Sequence, residues 1–178
     1  MDKKRILFHT DFSLRKTGFA KHAKSILKYL YETNKYELLN YCCDTSEADP
    51  ELTRTPWKTI GCIPASQSEI EEHLNRFPPN EKDFRWKRLM YGDYKLDKVI
   101  SDFKPDFYFG IQDIWGVDFA IERDWFQRLN SVIWTTLDSL PILPGAVAVA
   151  PKVKNYWVWA DFATKALHRI GFNHVRTV

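Results

Sequence analysis

Two aspartates follow apolar segments of strand type, where a carboxylate can take part in chemistry. Asp113 comes after the segment 107–111, and Asp138 comes after the segment 131–137. A carboxylate just beyond a buried strand can accept a hydrogen bond from a sugar hydroxyl, act as a general base or bind a metal ion. The structural alternative is a cap for the following helix or turn. We expect Asp113 and Asp138 to be the catalytic residues.

Two aromatic rings could complete an acceptor site. Trp115 lies two residues after Asp113, and an aromatic face beside a carboxylate suits a sugar ring or a base. His9 lies near the end of the first apolar segment, where it could contact a phosphate. The alternatives are a core tryptophan and a hydrogen-bonded structural histidine. Trp115 and His9 are thus the expected acceptor-binding residues. The spacing supports no Ser-His-Asp or Cys-His set.

A third candidate is the turn between the first strand and the first helix. Residues 5–10 form a short run of strand type with three apolar residues at its centre, residues 11–18 interrupt it, and apolar residues then recur at helical spacing. Thr17 is placed to cap this helix, and Gly18 lets the backbone turn tightly into it. Because a helix start favours anions, Thr17, Gly18 and Lys21 are the expected donor-phosphate-binding residues. Neither the dinucleotide fingerprint nor the P-loop is present, so Gly18 could instead only shape the turn.

Strand-like and helix-like segments alternate along the chain that must position these residues. Strands are predicted over 5–10, 36–43, 57–63, 107–111, 131–137, 155–159 and 175–178. Helices are predicted over 18–30, 68–77, 94–103, 117–129 and 162–170. A capping box at Ser68–Glu71 sets the second helix start. The alternation predicts an α/β fold, a Rossmann-like three-layer α/β/α sandwich with a mainly parallel sheet, as one domain over 1–178. Ligands bind beyond the carboxyl ends of parallel strands, so residues 11–18, 112–116 and 138–140 should meet around one crevice.

The composition is that of a globular domain with a small positive charge. Hydrophobic residues make up 44% of the chain, charged residues 28%, and the formal net charge is +3. This charge is far below that of a dedicated nucleic-acid binder. The basic run 85–88 could hold a phosphate or an acidic acceptor, or form a solvated helix face with one buried tryptophan. Aromatic residues reach 15%, so some rings should line a cleft or a partner surface.

The three cysteines do not form a disulfide pattern. Cys42, Cys43 and Cys62 are odd in number and include an adjacent pair. We expect buried, reduced thiols in a cytoplasmic protein. No apolar stretch reaches the ~18 residues of a membrane span, and no signal-peptide pattern opens the chain. No metal-ligand spacing is present, so we expect no metal and no cofactor.

The order of several short motifs resembles that of an enzyme family. The motifs are Thr17-Gly18-Phe19-Ala20, Tyr91-Gly92, Lys104-Pro105-Asp106, Gln112-Asp113-Ile114-Trp115, Thr136-Leu137-Asp138 and the segment 159–167. Together they make the chain similar to the N-terminal domain of the GT-B glycosyltransferases, specifically the retaining family 4 (group 1). The resemblance covers essentially the whole chain and rests on the order and spacing of the motifs.

This resemblance implies the acceptor-binding half of a sugar transferase. The enzyme would move a sugar from a nucleotide-sugar, such as a UDP- or GDP-sugar, to a hydroxyl acceptor without a bound metal. Nothing in the chain matches the family's donor domain, so we expect the chain alone to transfer no sugar. It would work with a C-terminal donor domain or a partner chain. Many family members carry a histidine where Leu137 stands here, which leaves Asp138 as the key polar residue.

Other functions stay open at this point. The chain could be a non-catalytic Rossmann-like binding module or a subunit of a split enzyme. It could also belong to a DNA-base glycosyltransferase, in which the run 85–88 contacts phosphates and binding weakens with salt. For any of these we expect a monomeric or weakly self-associating domain. In the intact enzyme an apolar patch on its surface would meet the second domain.

Overall fold

A computed structural model describes residues 3–178, which form an α/β fold around one seven-stranded sheet. The strands are β1 (Lys4–Asp11), β2 (Tyr36–Ser46), β3 (Lys58–Ile63), β4 (Phe107–Ile111), β5 (Asn130–Thr135), β6 (Asn155–Val158) and β7 (Arg176–Thr177). The helices are α1 (Gly18–Glu32), α2 (Gln67–Leu74), α3 (Lys82–Met90), α4 (Leu96–Phe103), α5 (Ile114–Ile121), α6 (Asp124–Arg128), α7 (Pro144–Val149) and α8 (Asp161–Arg169). Short 3-10 helices cover Pro50–Arg54 and Ala150–Lys152.

All seven strands run parallel, in the order β3-β2-β1-β4-β5-β6-β7. The chain first moves outwards from β1 to β3 and then returns to place β4 on the other side of β1. The gap between the carboxyl ends of β1 and β4 is therefore the topological switch point, where open α/β sheets bind ligands. The predicted α/β sandwich with a parallel sheet is confirmed.

The two faces of the sheet have separate hydrophobic cores. Leu7 and Tyr108 belong to the core that is shared with α4 to α8. Phe8 and Phe109 belong to the opposite core, which is shared with α1 through Leu27. Since neighbouring residues of a strand point to opposite faces, β1 and β4 are buried on both sides. This explains why β4 and the centre of β1, residues 6–8, are continuously apolar instead of alternating.

Two predicted helix limits are wrong. Helix α2 begins at Gln67, one residue before the predicted start, and the expected capping box does not form. Instead the hydroxyl of Ser66 pairs with that of Ser68 at 2.6 Å, so no side chain caps the first amides. The single helix predicted over 117–129 is two helices, α5 and α6, which are separated near Glu122, and α5 already begins at Ile114.

Other differences concern the region after β5. Helix α7 is not among the predicted helices: it begins at Pro144, and proline, although common in turns, is also favoured in the first turn of a helix. In α8, Ala163 and Leu167 are buried as expected, but Phe162 and Ile170 are exposed. Trp86, expected to be buried, is 38% exposed. The cysteines are buried and unpaired, as predicted.

Candidate functional site

A carboxylate joins the first strand to the first helix and to the fourth strand. Asp11, the last residue of β1, accepts hydrogen bonds from the Thr17 hydroxyl and from the Gln112 side-chain amide. The Thr17 oxygen in turn accepts from the Ala20 amide at 3.1 Å, so the predicted cap of α1 is confirmed. Asp11 thus ties the start of α1 to the end of β4 across the switch point.

The hydrogen-bond chain continues to the end of β5. The Gln112 side-chain oxygen accepts from the Asp113 amide at 3.3 Å. The Thr136 hydroxyl donates to the Asp113 carboxylate at 2.5 Å. Three strand ends are therefore linked by Asp11, Thr17, Gln112, Asp113 and Thr136, which we call the switch-point network. The sequence placed residues 11–18 and 112–116 around one crevice, and these hydrogen bonds join them.

Sequence reasoning did not name Asp11, Gln112 or Thr136 as functional residues. Each lies at the last position of a strand or one residue beyond its end. The available signal was therefore their position after an apolar strand, which is the signal that selected Asp113. We expected Asp138 to be the residue that joins the site from the end of β5, but Thr136 makes this contact instead.

Asp138 lies outside the switch-point network. Its side chain is exposed and forms no hydrogen bond or ion pair with the part of the chain described here, residues 3–178. It follows Thr136 by two residues, beyond the end of β5. No structural contact explains this carboxylate, so it is not a cap for the following turn. It is free to interact with a molecule bound at this edge of the sheet.

The start of α1 leaves backbone amides facing solvent. Thr17 caps Ala20, whereas Gly18 and Phe19 donate to no acceptor within residues 3–178. A side chain at Gly18 would meet no atom within 4 Å, and its φ lies outside the left-handed region. The idea that the turn requires glycine is therefore wrong. Lys21 is exposed in the next turn, which adds a positive charge near these amides.

His9 is a structural residue. It is fully buried, and its two ring nitrogens bond to the Tyr108 hydroxyl at 2.7 Å and the Tyr91 carbonyl at 2.8 Å. A carbonyl can only accept, so Nε2 carries the proton and Nδ1 accepts from Tyr108. Burial lowers the pKa of His9 to about 4. The prediction that His9 contacts the acceptor substrate is wrong, because neither ring nitrogen faces solvent.

Trp115 lines a small cleft beside the switch-point network. The cleft measures about 170 Å³ and lies between α3 and α5. Trp115 is 43% exposed and packs edge-to-face on Tyr91, with the ring centroids 5.0 Å apart. A side chain at Gly116 would come within 2.7 Å of the Tyr91 ring, so glycine is needed at position 116 for α5 to pack this closely on Tyr91. Lys87 lies 5.2 Å from the centre of the Trp115 ring. The predicted core alternative for Trp115 is wrong.

The basic run on α3 is mostly turned towards the protein. Arg88 forms an ion pair with Asp118 at 3.1 Å and stacks on Phe84 and Phe119. Arg85 donates to the Leu74 carbonyl at 3.4 Å. Lys87 and Arg88 both line the cleft, and of the three cations in this run only the side chain of Lys87 has no ion pair or hydrogen bond within residues 3–178. The run is therefore not a free phosphate-binding stripe.

Comparison with known proteins does not assign the chain to a family. No protein-family model matches it, and no curated protein matches it closely enough to count as a relative. Among residues 3–178, no helix is both long and apolar enough to cross a membrane. The same residues contain no group of three or more His, Cys, Asp or Glu side chains that could hold a metal ion. The function must therefore be argued from the site itself.

Proposed function

We propose that this chain is the acceptor-binding domain of a glycosyltransferase that moves a sugar from a nucleotide-sugar to a hydroxyl. The observation that carries the proposal is the switch-point network, in which the carboxylates of Asp11 and Asp113 are linked to the start of α1 with its open amides. The exposed Trp115 follows Asp113 by two residues along the chain. Sugar transfer needs these parts together: anion-binding amides for the donor phosphates, carboxylates for the acceptor hydroxyl and an aromatic surface for a sugar ring.

Each part has a separate role in this proposal. The amides of Gly18 and Phe19, with Lys21, would contact the donor phosphates. Asp113, held by the Thr136 hydroxyl, would orient an acceptor hydroxyl, and the exposed Asp138 would accept its proton or fix its direction. Trp115 would hold the acceptor ring against the cleft. The second half of the donor site would come from another domain or chain, so the chain alone is expected to transfer no sugar.

Direct binding tests this proposal. We expect saturation-transfer NMR of the 178-residue chain to detect simple sugars, such as methyl glucoside, and nucleotide-sugars, such as UDP-glucose and GDP-mannose. Trp115→Ala should weaken sugar binding by about tenfold, since one aromatic contact contributes on the order of 1 kcal/mol. Trp86→Ala is the matched control, because Trp86 is similarly exposed but does not line the cleft.

Two results would contradict the proposal. If no sugar or nucleotide-sugar in the panel binds, the site is not that of a sugar transferase. If Trp86→Ala weakens binding as much as Trp115→Ala does, the sugar binds outside the cleft. Measurable sugar transfer by the isolated chain would instead overturn only the expectation that a donor-binding half is required.

A further inference from the structure

A second concave region lies at the edge of the sheet opposite the switch-point network. It is lined by Arg5 near the start of β1, Tyr36 at the start of β2 and Lys58 at the start of β3. Tyr31, in the last turn of α1, also lines it. The cavity measures about 490 Å³, within the roughly 300–1,000 Å³ that small-molecule sites occupy. We call this cavity the amino-edge pocket.

The charges that line the amino-edge pocket are mostly positive. Lys3, Arg5 and Lys58 line it together with one carboxylate, that of Glu37. Glu37 lies 3.6 Å from Arg5, so these two charges offset each other. Lys3 donates to the neutral side chain of Asn34, and neither Lys3 nor Lys58 has an ion-pair partner among residues 3–178. The pocket therefore carries two excess positive charges, which favour an anionic ligand.

Aromatic rings form the other part of the lining. Tyr31 is 45% exposed, and its ring packs edge-to-face with that of Trp57, with the centroids 6.1 Å apart. Trp57 is buried, so it fixes the Tyr31 ring, which still presents almost half of the residue's surface. A fixed and accessible ring is a stacking surface for a planar group, and such stacking accepts any nucleobase.

We propose that the amino-edge pocket binds a nucleoside monophosphate, with the base on Tyr31 and the phosphate contacted by Lys3 and Lys58. A phosphomonoester carries a charge of about −2 near pH 7, which matches the two excess positive charges of the pocket. A bare anion would use only the cations and a neutral aromatic molecule only the ring, whereas a mononucleotide uses both.

This site is separate from the site of the proposed sugar transfer. The amino-edge pocket lies at the amino ends of β1, β2 and β3, whereas the switch-point network joins the carboxyl ends of β1, β4 and β5. A nucleotide in this pocket would therefore leave the switch point free for other ligands, and the two proposals can fail independently.

Calorimetry with UMP, uridine and inorganic phosphate tests the proposal. We expect UMP to bind at least about tenfold more tightly than uridine or phosphate, because only UMP engages both the ring and the cations. Tyr31→Ala should weaken UMP binding by about tenfold, since the stacking surface for the base is lost. Lys58→Gln should weaken it by about the same factor and make it less dependent on salt. Thermal unfolding checks that both variants keep the fold.

Tyr29→Ala and Lys24→Gln are the matched controls. Both residues are exposed on α1, and neither lines the amino-edge pocket. The proposal fails if UMP does not bind, if inorganic phosphate binds as tightly as UMP, or if Tyr31→Ala and Lys58→Gln behave like these controls.

Two further results would place the nucleotide elsewhere. If Gly18→Val abolishes UMP binding and Lys58→Gln does not, the nucleotide binds at the start of α1, which overturns this proposal and supports the donor site of the proposed function. An oligouridylate that competes with UMP and binds more than about tenfold tighter would assign the pocket to a nucleic-acid surface instead.

Discussion

At the scale of single residues, the two predicted aspartates turn out to be held in different ways. Asp113 is half-buried and receives a hydrogen bond from Thr136, whereas Asp138 is exposed and has no hydrogen-bonding partner among residues 3–178. A held carboxylate has a fixed direction, so it suits the positioning of a substrate hydroxyl. A free carboxylate contributes little to stability, so any requirement for it must come from a bound molecule.

Replacing each aspartate by asparagine separates these roles. Asp113→Asn should lower the free energy of unfolding by about 1 kcal/mol, because the hydrogen bond from Thr136 loses its charged acceptor. Asp138→Asn should change it by less than about 0.5 kcal/mol, since nothing in the protein contacts this side chain. Denaturant unfolding measures both values.

The same variants carry the functional prediction when the chain is assayed together with its donor-binding half. Asp138→Asn should lose about 100-fold in the rate of sugar transfer, which is typical for a misplaced or missing positioning group. If the rate of sugar transfer holds in Asp138→Asn, the assignment of Asp138 to the site is wrong.

The position of a candidate residue at a strand end was easier to predict from the sequence than its contacts were. The positions of Asp113 and Trp115 after β4 followed from one apolar segment and its end. His9 lies at a comparable position on β1, yet the side chain points into the core, between Tyr108 and the Tyr91 backbone. Which side of a strand a residue faces depends on what packs there, and a strand buried on both faces gives no alternation to reveal it.

At the scale of elements, the start of α1 is the part of the site that the sequence described best. A Thr cap was predicted, and Thr17 forms it. The same threonine also donates to Asp11, which places a carboxylate next to the helix start. A phosphate bound there would therefore contact the uncapped amides of Gly18 and Phe19, on the side away from Asp11. Lys21 would offset part of the negative charge.

Gly18→Val tests whether a ligand approaches this helix start. A side chain at Gly18 has open space and an ordinary φ, so the variant should fold with little change in stability. If phosphates contact these amides, the added side chain should weaken the binding of UDP-glucose or GDP-mannose by about tenfold or more. Calorimetry measures the affinity, and thermal unfolding checks the fold.

Gly145→Val is the matched control for this variant. Gly145 also has open space around it, but it lies in α7. It should bind nucleotide-sugars like the unmodified chain. Unchanged affinity in Gly18→Val would mean that Gly18 has no role in ligand approach, and the donor phosphates would then have to bind elsewhere.

Elements that depend on weak local signals were the ones missed. Helix α7 has only six residues and begins at Pro144, so its sequence indicates a turn as readily as a helix. The capping box at Ser68–Glu71 was a good local signal, but the helix begins one residue earlier and Ser68 pairs with another hydroxyl. In both cases tertiary packing chose between alternatives of similar local energy.

At the scale of the whole molecule, the alternation of strands and helices was sufficient to predict the parallel sheet. Right-handed crossovers allow few topologies, and parallel strands bring their carboxyl ends to one edge. This is why segments almost 100 residues apart could be placed around one crevice before any contact was known. The direct link between Asp11 and Gln112 agrees with that placement.

The fold also contains a buried titratable group at its centre, which makes stability depend on pH. The imidazole of His9 projects from β1 into the core, near the rings of Tyr41 on β2 and Phe119 on α5. Burial lowers its pKa to about 4, from 6.5 in the unfolded chain. Between these values the unfolded chain binds a proton on His9 that the folded chain does not, so protonation favours unfolding.

We therefore expect the free energy of unfolding to fall by up to about 3 kcal/mol as the pH decreases from 6.5 towards 4, with this contribution fully present above 6.5. Denaturant unfolding at a series of pH values measures how steeply the free energy of unfolding depends on pH.

His9→Gln should make this dependence less steep. Part of the dependence should remain, because burial also lowers the pKa of His73. His22→Gln on the exposed side of α1 is the control and should keep the full dependence. If the free energy of unfolding of His9→Gln depends on pH as steeply as that of the unmodified chain, His9 does not contribute to this dependence. His9 would then become protonated while it stays in the core.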